Sequence, residues 1–297
     1  METALIGLGR MGIRIAQNLT RRDVKAYCYD IDERAMAKAR NIGLRVAKTP
    51  HIALSRLRQP RIGLLIVPAG RAVDDAISAS LPRLNPGDVL VDCGNSFYRD
   101  SIRRARELKR KGIGYLDAGT SGGLEGAMNG VSMTVGGERK YFGIAEPILE
   151  EVSCECGLRY VGKSGNGHFA KMVHNAIEYA VMQAYAEGIE LLAKEEDMPI
   201  GAVLESWQNR SIMSSNLLKY VQRAVANKKR LEGMSSHIGG GETGQWAYEE
   251  AAMRDVAFDT LRVALRAREL SGAEERLAYK IIAATRQEFG GHEIKRK

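Results

Sequence analysis

The sequence of 297 residues predicts an α/β fold in two parts, a parallel sheet with crossover helices followed by an all-helical segment. Short apolar runs alternate with helical periodicity in the first half, which is typical of βαβ units. Beyond residue 165 the chain forms long helical patterns with few breakers. We therefore place one domain at residues 1–164 and an all-helical domain, with a C-terminal tail, at residues 165–297.

Each element is predicted from the spacing of its apolar residues. The predicted strands are residues 3–6, 24–29, 62–67, 89–91, 115–117 and 131–135. The predicted helices are residues 11–21, 33–40 and 101–111, and then 168–195, 200–209, 216–227, 245–270 and 274–289.

Composition narrows the class of protein. No apolar run approaches the roughly 18 residues of a membrane span, and the chain enters a strand directly, so we expect neither a membrane segment nor a signal peptide. The four cysteines show no zinc spacing and no disulfide framework, which favours a reducing cytoplasm. Cys154 and Cys156 are interpreted as two small residues on one face of a strand.

The formal charge of +8 raises the possibility of a nucleic-acid partner. Much of the excess lies in residues 103–111, including Arg104, and in residues 295–297. No aromatic residues are interleaved with the first group to stack on bases, so it is interpreted as a solvated helix face. A basic surface also suits small anionic substrates, which it attracts.

A glycine-rich turn, Gly7-Leu8-Gly9-Arg10-Met11-Gly12, joins the first strand to the first helix. Its GxGxxG spacing permits a tight turn, backbone approach to a pyrophosphate and close packing of helix on strand. Asp30 follows 18 residues after the last glycine, at the end of the second strand. Together these features predict a Rossmann-type dinucleotide-binding domain.

Asp30 also predicts which dinucleotide binds. A carboxylate can accept hydrogen bonds from the adenosine ribose and repels a 2′-phosphate. Ile31 offers no compensating cation, although Arg34 could supply one. We expect NAD to be preferred, with NADP possible.

The second domain opens with polar residues in an unusual pattern. Lys171, His174, Asn175 and Glu178 fall at i, i+3, i+4 and i+7, which is one helix face. A solvated surface is the alternative reading, but the face follows the close-approach loop Gly165-Asn166-Gly167 and its groups can transfer protons or hold a polyol. No metal-ligand cluster is present in the sequence, so no metal is expected.

Several segments together carry a resemblance to a known family. They are Gly7-Leu8-Gly9-Arg10-Met11-Gly12, Val67-Pro68-Ala69-Gly70, Asp92-Cys93-Gly94-Asn95-Ser96, Ser121-Gly122-Gly123, residues 167–179 and residues 286–292. Over nearly all its length the chain resembles the decarboxylating 6-phosphogluconate dehydrogenases, in their short form, within the β-hydroxyacid dehydrogenase superfamily.

The resemblance implies oxidation of 6-phosphogluconate at carbon 3, loss of carbon 1 as CO₂, and ribulose 5-phosphate as product. It makes Lys171 the general base and then the general acid, and Glu178 the group that protonates carbon 1. It places the sugar acid on Asn95, Ser121, Gly122, Gly123, His174, Asn175 and Tyr179, the phosphate on Arg268, Arg286 and His292, and the dinucleotide on Gly7, Leu8, Gly9, Arg10, Met11, Gly12, Asp30, Val67, Pro68, Ala69 and Asn95.

The resemblance further implies a homodimer or a dimer of dimers, in which the tail carrying Arg286 and His292 completes the neighbouring site. Three residues depart from the family pattern. Gln245 and Ala247 flank Trp246 where a cation and a hydroxyl are usual, which weakens or replaces one phosphate contact. Cys93 replaces a usual glycine and is interpreted as tolerated packing.

Two alternatives stay open. The nearer is another β-hydroxyacid dehydrogenase acting on an unphosphorylated 3-hydroxy acid, which would not need Arg286 or His292. The other is a non-catalytic dinucleotide-sensing or nucleic-acid-binding protein, which the presence of both Lys171 and Glu178 disfavours.

Overall fold

The structure is a computed structural model that describes residues 1–295, and it divides into two compact units. The first is Met1–Met172 and the second begins at Val173. The division falls within one long helix, Asn166–Leu192, and the domain boundary expected after residue 164 lies just before this helix begins.

The first unit contains an eight-stranded sheet in which every neighbouring pair is parallel except β6 and β7. This confirms the predicted Rossmann-type sheet. The strand order is β3-β2-β1-β4-β5-β6-β7-β8, so the order reverses at β1, where open α/β sheets bind ligands. The strands are β1 Glu2–Ile6, β2 Lys25–Tyr29, β3 Arg45–Val46, β4 Ile62–Leu65, β5 Val89–Asp92, β6 Gly114–Ser121, β7 Val131–Gly137 and β8 Ser153–Gly162.

Apolar side chains cover both faces of this sheet. Leu5 and Leu64 belong to a cluster on one face, whereas Ile6, Leu65 and Leu90 belong to a second cluster. Strands buried on both faces read as continuous apolar runs, which is why the sequence revealed them. The covering helices and the one that follows β8 are α1 Arg10–Arg21, α2 Glu33–Asn41, α3 Pro50–Ser55, α4 Arg71–Ser80, α5 Tyr98–Lys109, α6 Gly123–Asn129, α7 Arg139–Val152 and α8 Asn166–Leu192.

Strand β8 is irregular, which corrects the expectation for its two cysteines. The register with β7 shifts between the pairs Val131–Ser153 and Met133–Leu158, so extra residues bulge out of β8. Cys156 has a φ of 57°, and both Cys154 and Cys156 are exposed. They do not lie on one face of a regular strand.

The second unit is helical, as predicted. Its core is formed by side chains such as Leu218, Val221 and Ile282, which pack together from α10 and α14. One predicted helix, residues 245–270, is wrong: the chain breaks between α12 and α13, where Asp255 adopts a φ of 55°. The helices are α9 Ile200–Gln208, α10 Asn216–Ala226, α11 Lys228–Gly233, α12 Glu242–Met253, α13 Asp259–Leu270 and α14 Leu277–Gly290.

Within residues 1–295, none of the helices combines the length and apolar character needed to cross a membrane.

Candidate active site

The turn between β1 and α1 has the geometry of a dinucleotide loop. Gly7 has a φ of 105°, and a Cβ at Gly12 would lie 1.9 Å from the carbonyl oxygen of Gly7, so a larger residue at either position would displace the turn. A Cβ at Gly9 would meet no atom within 4 Å. The loop is therefore open at Gly9, beside the amide groups at the start of α1, and fits a pyrophosphate.

Asp30 lies just beyond β2 and contacts this loop. Its carboxylate accepts a hydrogen bond from the backbone N–H of Leu8, and its other oxygen accepts one from Asp32 N–H at 2.8 Å. The next residue, Ile31, is 89% exposed. The carboxylate thus stands at the glycine loop, where the adenosine ribose of a dinucleotide is held in this fold.

Two further loops follow β4 and β5 at the same edge of the sheet. Val67-Pro68-Ala69-Gly70 follows β4, with Gly70 at a φ of 81°. The loop after β5 is held by Asp92, whose carboxylate accepts hydrogen bonds from Gly94 N–H at 3.0 Å and Ser96 Oγ at 2.8 Å. This turn presents Asn95 with an exposed side chain.

Cys93 lies in the same loop but is buried, and burial, with the charge of Asp92, raises the pKa of its thiol. An inert, buried thiol agrees with the interpretation of this departure as packing.

Strand β6 brings the Ser-Gly-Gly loop to Lys171. A Cβ at Gly119 would lie 2.6 Å from Lys171 Cβ, so the lysine side chain starts directly over the strand, two residues before Ser121. Gly122 and Gly123 follow with φ of 130° and 60° and begin α6. Within the first unit the structure therefore places Lys171 against the strand that leads into Ser121-Gly122-Gly123.

Two buried residues that the sequence reasoning missed fix the start of α8. Asp117 accepts hydrogen bonds from Gly165 N–H at 2.8 Å and His168 N–H at 3.0 Å, and burial raises the pKa of its carboxyl group. The His168 imidazole lies 2.7 Å from Ser101 Oγ and 3.1 Å from the Asp92 carbonyl oxygen. The sequence did contain a signal for this cluster. His168 directly precedes the polar helix face, and Asp92 and Asp117 lie in two neighbouring apolar strands.

Arg104 corrects the reading of residues 103–111 as a solvated face. It is 1% exposed and forms an ion pair with Asp74 at 2.8 Å. The buried side of α5 consists of Ser101, Arg104 and Leu108, which recur at helical spacing. This spacing was the sequence signal that Arg104 is buried.

The polar face of α8 continues into the second unit. His174 Nδ1 lies 3.2 Å from Asn175 Oδ1 and 3.8 Å from Glu178 Oε2. The predicted helical spacing of these residues and Lys171 therefore holds, because α8 includes all four.

Two buried arginines form a cationic cluster with Tyr179 in the second unit. Arg268 lies over the Tyr179 ring at 3.8 Å and donates a hydrogen bond to the Gly239 carbonyl oxygen at 3.2 Å. Arg286 donates to the same carbonyl, and each arginine is 8% exposed. Burial, reinforced by the neighbouring Arg286 charge, lowers the pKa of Arg268 to about 10, so it keeps its proton at neutral pH.

A glycine turn, Gly240-Gly241, lies next to this cluster. Gly240 and Gly241 have φ of 69° and 136°, and they lead into the N-terminus of α12. A Cβ at Gly240 would lie 2.8 Å from an Arg286 guanidinium nitrogen. Two guanidinium groups, a phenol and a turn without side chains form an arrangement suited to a phosphate dianion.

The tail contacts residues of its own chain. Arg286 and Arg268 both donate to the Gly239 carbonyl oxygen, and the expected contribution of Arg286 to a neighbouring subunit stays a prediction. His292 packs against Phe289 of its own helix end, with ring centroids 6.2 Å apart. The following residues also return to the second unit: Ser235 N–H donates to the Lys295 carbonyl oxygen at 2.9 Å.

Neither Gln245 nor Ala247, the two departures from the family pattern beside Trp246, supplies a positive charge. Gln245 donates to Glu249 one helical turn away at 3.0 Å, and Ala247 is buried. Among residues 1–295, no group of three or more His, Cys, Asp or Glu side chains is arranged to hold a metal ion.

A glycine-rich loop at the switch point of a parallel sheet, with a carboxylate at the end of the next strand, is the arrangement of a dinucleotide-binding dehydrogenase. Residues 2–162 match the model of the NAD binding domain of 6-phosphogluconate dehydrogenase, and residues 167–297 match the model of its C-terminal domain. The chain belongs to the 6-phosphogluconate dehydrogenase family.

Similar proteins agree with this assignment. The chain is 36% identical over 300 residues to the NAD(+)-dependent, decarboxylating 6-phosphogluconate dehydrogenase of Haloferax volcanii. The match covers 100% of this chain and 99% of the relative. Plasmodium falciparum 6-phosphogluconate dehydrogenase, solved in its apo form and with NADP+ or 6-phosphogluconate, matches with a TM-score of 0.82 and 30% identity, over 92% of this chain and 62% of that one.

A 3-hydroxyisobutyrate dehydrogenase from Salmonella typhimurium has a TM-score of 0.75 at 17% identity, covering 95% of this chain and 99% of that one. At this identity the likeness shows a shared fold alone.

Proposed function

We propose that this protein oxidises and decarboxylates 6-phosphogluconate to ribulose 5-phosphate and CO₂ while reducing NAD. The observation that carries the proposal is the buried pair Arg268 and Arg286, on α13 and α14, next to Tyr179 of helix α8. A site with two desolvated guanidinium groups is built for a multiply charged anion. The acid and base groups on the same helix supply the proton transfers.

The oxidation step assigns Lys171 to the carbon 3 hydroxyl group. The neutral amine takes the hydroxyl proton as hydride leaves for the nicotinamide ring, which accepts it when the dinucleotide is bound. Asn95 and the Ser121-Gly122-Gly123 loop hold the sugar acid in reach of Lys171. The glycine loop, opened at Gly9, holds the pyrophosphate on the start of α1.

The decarboxylation step needs no metal, because the new ketone lies β to the carboxylate and receives the electron pair. Lys171, now protonated, gives its proton to the developing enolate oxygen. Glu178 then protonates carbon 1 of the enediol. The two groups stand seven residues apart on α8, about 10 Å along the helix axis, which suits different carbons of an extended substrate.

The alternative with an unphosphorylated 3-hydroxy acid is not favoured. Such a substrate would leave Arg268 and Arg286 buried without an anion, and burying charge without a partner is costly. The direct test is to supply 6-phosphogluconate or gluconate, each with NAD or NADP, and to trap the CO₂. Turnover of gluconate at a kcat/KM equal to that of 6-phosphogluconate would refute the proposed function.

We propose that the protein assembles as a homodimer. Ile177, Val181 and Leu191 project from one side of α8 with exposed side chains, Leu191 at 74%, which supports an interface between copies. A monomer at micromolar concentration in analytical ultracentrifugation would count against this proposal.

NAD is expected to be preferred over NADP. A 2′-phosphate about 4 Å from Asp30 would be repelled by roughly 4 kcal/mol per unit charge at an effective dielectric near 20. Replacing Asp30 by Asn together with Ile31 by Arg should therefore raise the ratio of kcat/KM for NADP to that for NAD. A wild-type enzyme that favours NADP would overturn this prediction and indicate Arg34 as the compensating cation.

Glu178→Gln is expected to slow protonation of carbon 1 more than hydride transfer, because the amide keeps the shape of the side chain but has no acidic proton. Single-turnover measurements in deuterated water would compare the rate of NADH formation with deuterium incorporation at carbon 1. Glu187→Gln, an exposed position on the same helix, is the control. Unchanged rate and stereochemistry of deuteration in Glu178→Gln would reduce Glu178 to a binding role.

A further inference from the structure

A buried ion pair joins helix α5 to the end of β5, and the proposed reaction uses neither of its two side chains directly. Arg104 is 1% exposed and Asp92 is 0% exposed. The Arg104 Nη1 atom lies 3.8 Å from Asp92 Oδ2, and among residues 1–295 this nitrogen makes no hydrogen bond. Removing one partner of such a pair leaves an uncompensated buried charge, so the two groups constrain the elements that carry them.

Arg104 holds the first loop, Val67–Gly70, at its far end. Its Nη2 donates to the Gly70 carbonyl oxygen at 2.9 Å, and its Nε donates to Asp74 Oδ1 at 2.8 Å in the first turn of α4. The hydrogen bond from Arg104 lowers the pKa of Asp74, which keeps this partner ionised. One guanidinium group therefore fixes both the end of the first loop and the start of the helix after it.

Asp92 holds the second loop, Cys93–Ser96. Besides its bonds to Gly94 and Ser96, the carboxylate accepts a hydrogen bond from Tyr115 OH at 2.8 Å. The two loops also touch, because a Cβ at Gly94 would lie 2.9 Å from the Val67 carbonyl oxygen.

Strand order assigns these loops to one half of the dinucleotide. The glycine loop follows β1, and Asp30 follows β2 on one side of it. The strands β4 and β5 lie on the other side of β1, so their loops face the half of the cofactor beyond the pyrophosphate, which is the nicotinamide half.

We propose that Arg104, paired with Asp92, is a positioning residue that sets the two loops against each other and thereby places the nicotinamide ring. The proposal rests on the proposed function only in that the ligand is a nicotinamide dinucleotide. The identity of the sugar acid does not enter it. Arg104 is buried, and its effect is expected to pass through its contacts with Gly70, Asp74 and Asp92.

The test compares two ligands that share the adenosine half. We expect Arg104→Met to weaken NADH binding by about 10- to 100-fold, the range for one charge-assisted hydrogen bond, while the Kd for ADP-ribose stays within about threefold. Both constants are measured by titration calorimetry on the full chain without sugar acid. Failure of the proposed substrate would leave this result unaffected.

Arg103→Met is the matched control, because Arg103 is the neighbouring residue, also bonds Asp74 at 3.0 Å, and has a side chain that is 44% exposed. It should leave both constants unchanged. Arg104→Lys keeps a charge, but its compact ammonium group cannot reproduce the planar fork that reaches Gly70 and Asp74 together, so an intermediate loss of NADH affinity is expected.

If Arg104→Met does not fold, Ser96→Ala removes one hydrogen bond from Asp92 without leaving a charge unpaired, and should weaken NADH binding in the same selective way. An equal loss of NADH and ADP-ribose affinity in the folded variants would overturn the proposal, since it would show general damage to the domain. NADH binding within about threefold of wild type in Arg104→Met would overturn it as well.

Discussion

Lys171→Met is expected to lower kcat by at least about 10²–10⁴-fold, the usual contribution of a general acid–base group, while the Kd for NADH changes little. The lysine serves both the oxidation and the decarboxylation in the proposed mechanism. Its Cβ lies over Gly119 of strand β6, whereas the glycine loop follows strand β1. Methionine retains an unbranched side chain as far as Cε and lacks the amine that carries the proton.

The measurement pairs steady-state kinetics with NADH titration. Lys163→Met is a suitable control, because Lys163 is exposed and lies just before α8. Turnover within about threefold of wild type in Lys171→Met would exclude the lysine from proton transfer.

The second large effect is expected for the arginine pair. Replacing both Arg268 and Arg286 by alanine should lower kcat/KM for 6-phosphogluconate by about 10²–10⁴-fold, because each charge-assisted contact is worth about 1.5–3 kcal/mol. The loss should appear mainly in KM. Turnover of gluconate, which has no phosphate, should be unaffected. The variant's Tm should equal that of the wild type, which serves as the control for folding. An equal loss for both substrates would show that the arginines do not recognise the phosphate.

A hybrid dimer distinguishes which subunit Arg286 serves. Subunits with Lys171→Met are mixed with subunits with Arg286→Ala, and neither parent has a complete site. If Arg286 acts beside Arg268 of its own chain, as its bond to the Gly239 carbonyl suggests, hybrids stay inactive. Recovered activity in a verified hybrid would establish the exchange between subunits that the family resemblance implies.

Sequence reasoning succeeded where a single local pattern determines the structure. The glycine turn, the parallel strands and the spacing along α8 are fixed by residues close in the chain. It failed at residues 254–258, which contain neither glycine nor proline, yet Asp255 takes a left-handed conformation and ends α12.

The buried polar residues were missed for a different reason. Arg104 and Asp92 are 12 positions apart, and Asp117 and His168 are 51 apart, so their pairing depends on tertiary contacts. A charged residue on a helix is usually solvated, and only the position of its partner shows otherwise. The arginine cluster was inferred from family resemblance rather than from local pattern, because Arg268 and Arg286 meet through Gly239.

The two bonds made by Asp30 affect how readily cofactor choice can change. Both carboxylate oxygens accept backbone N–H groups, one of them from Leu8 in the glycine loop. Asparagine has only one accepting oxygen, so Asp30→Asn leaves one of these donors facing an amide and destabilises the turn by about 1–3 kcal/mol. The Asp30 side chain therefore both selects between NAD and NADP and stabilises the loop that binds either of them. An evolutionary path toward NADP would more easily begin at the exposed Ile31 than at the carboxylate itself.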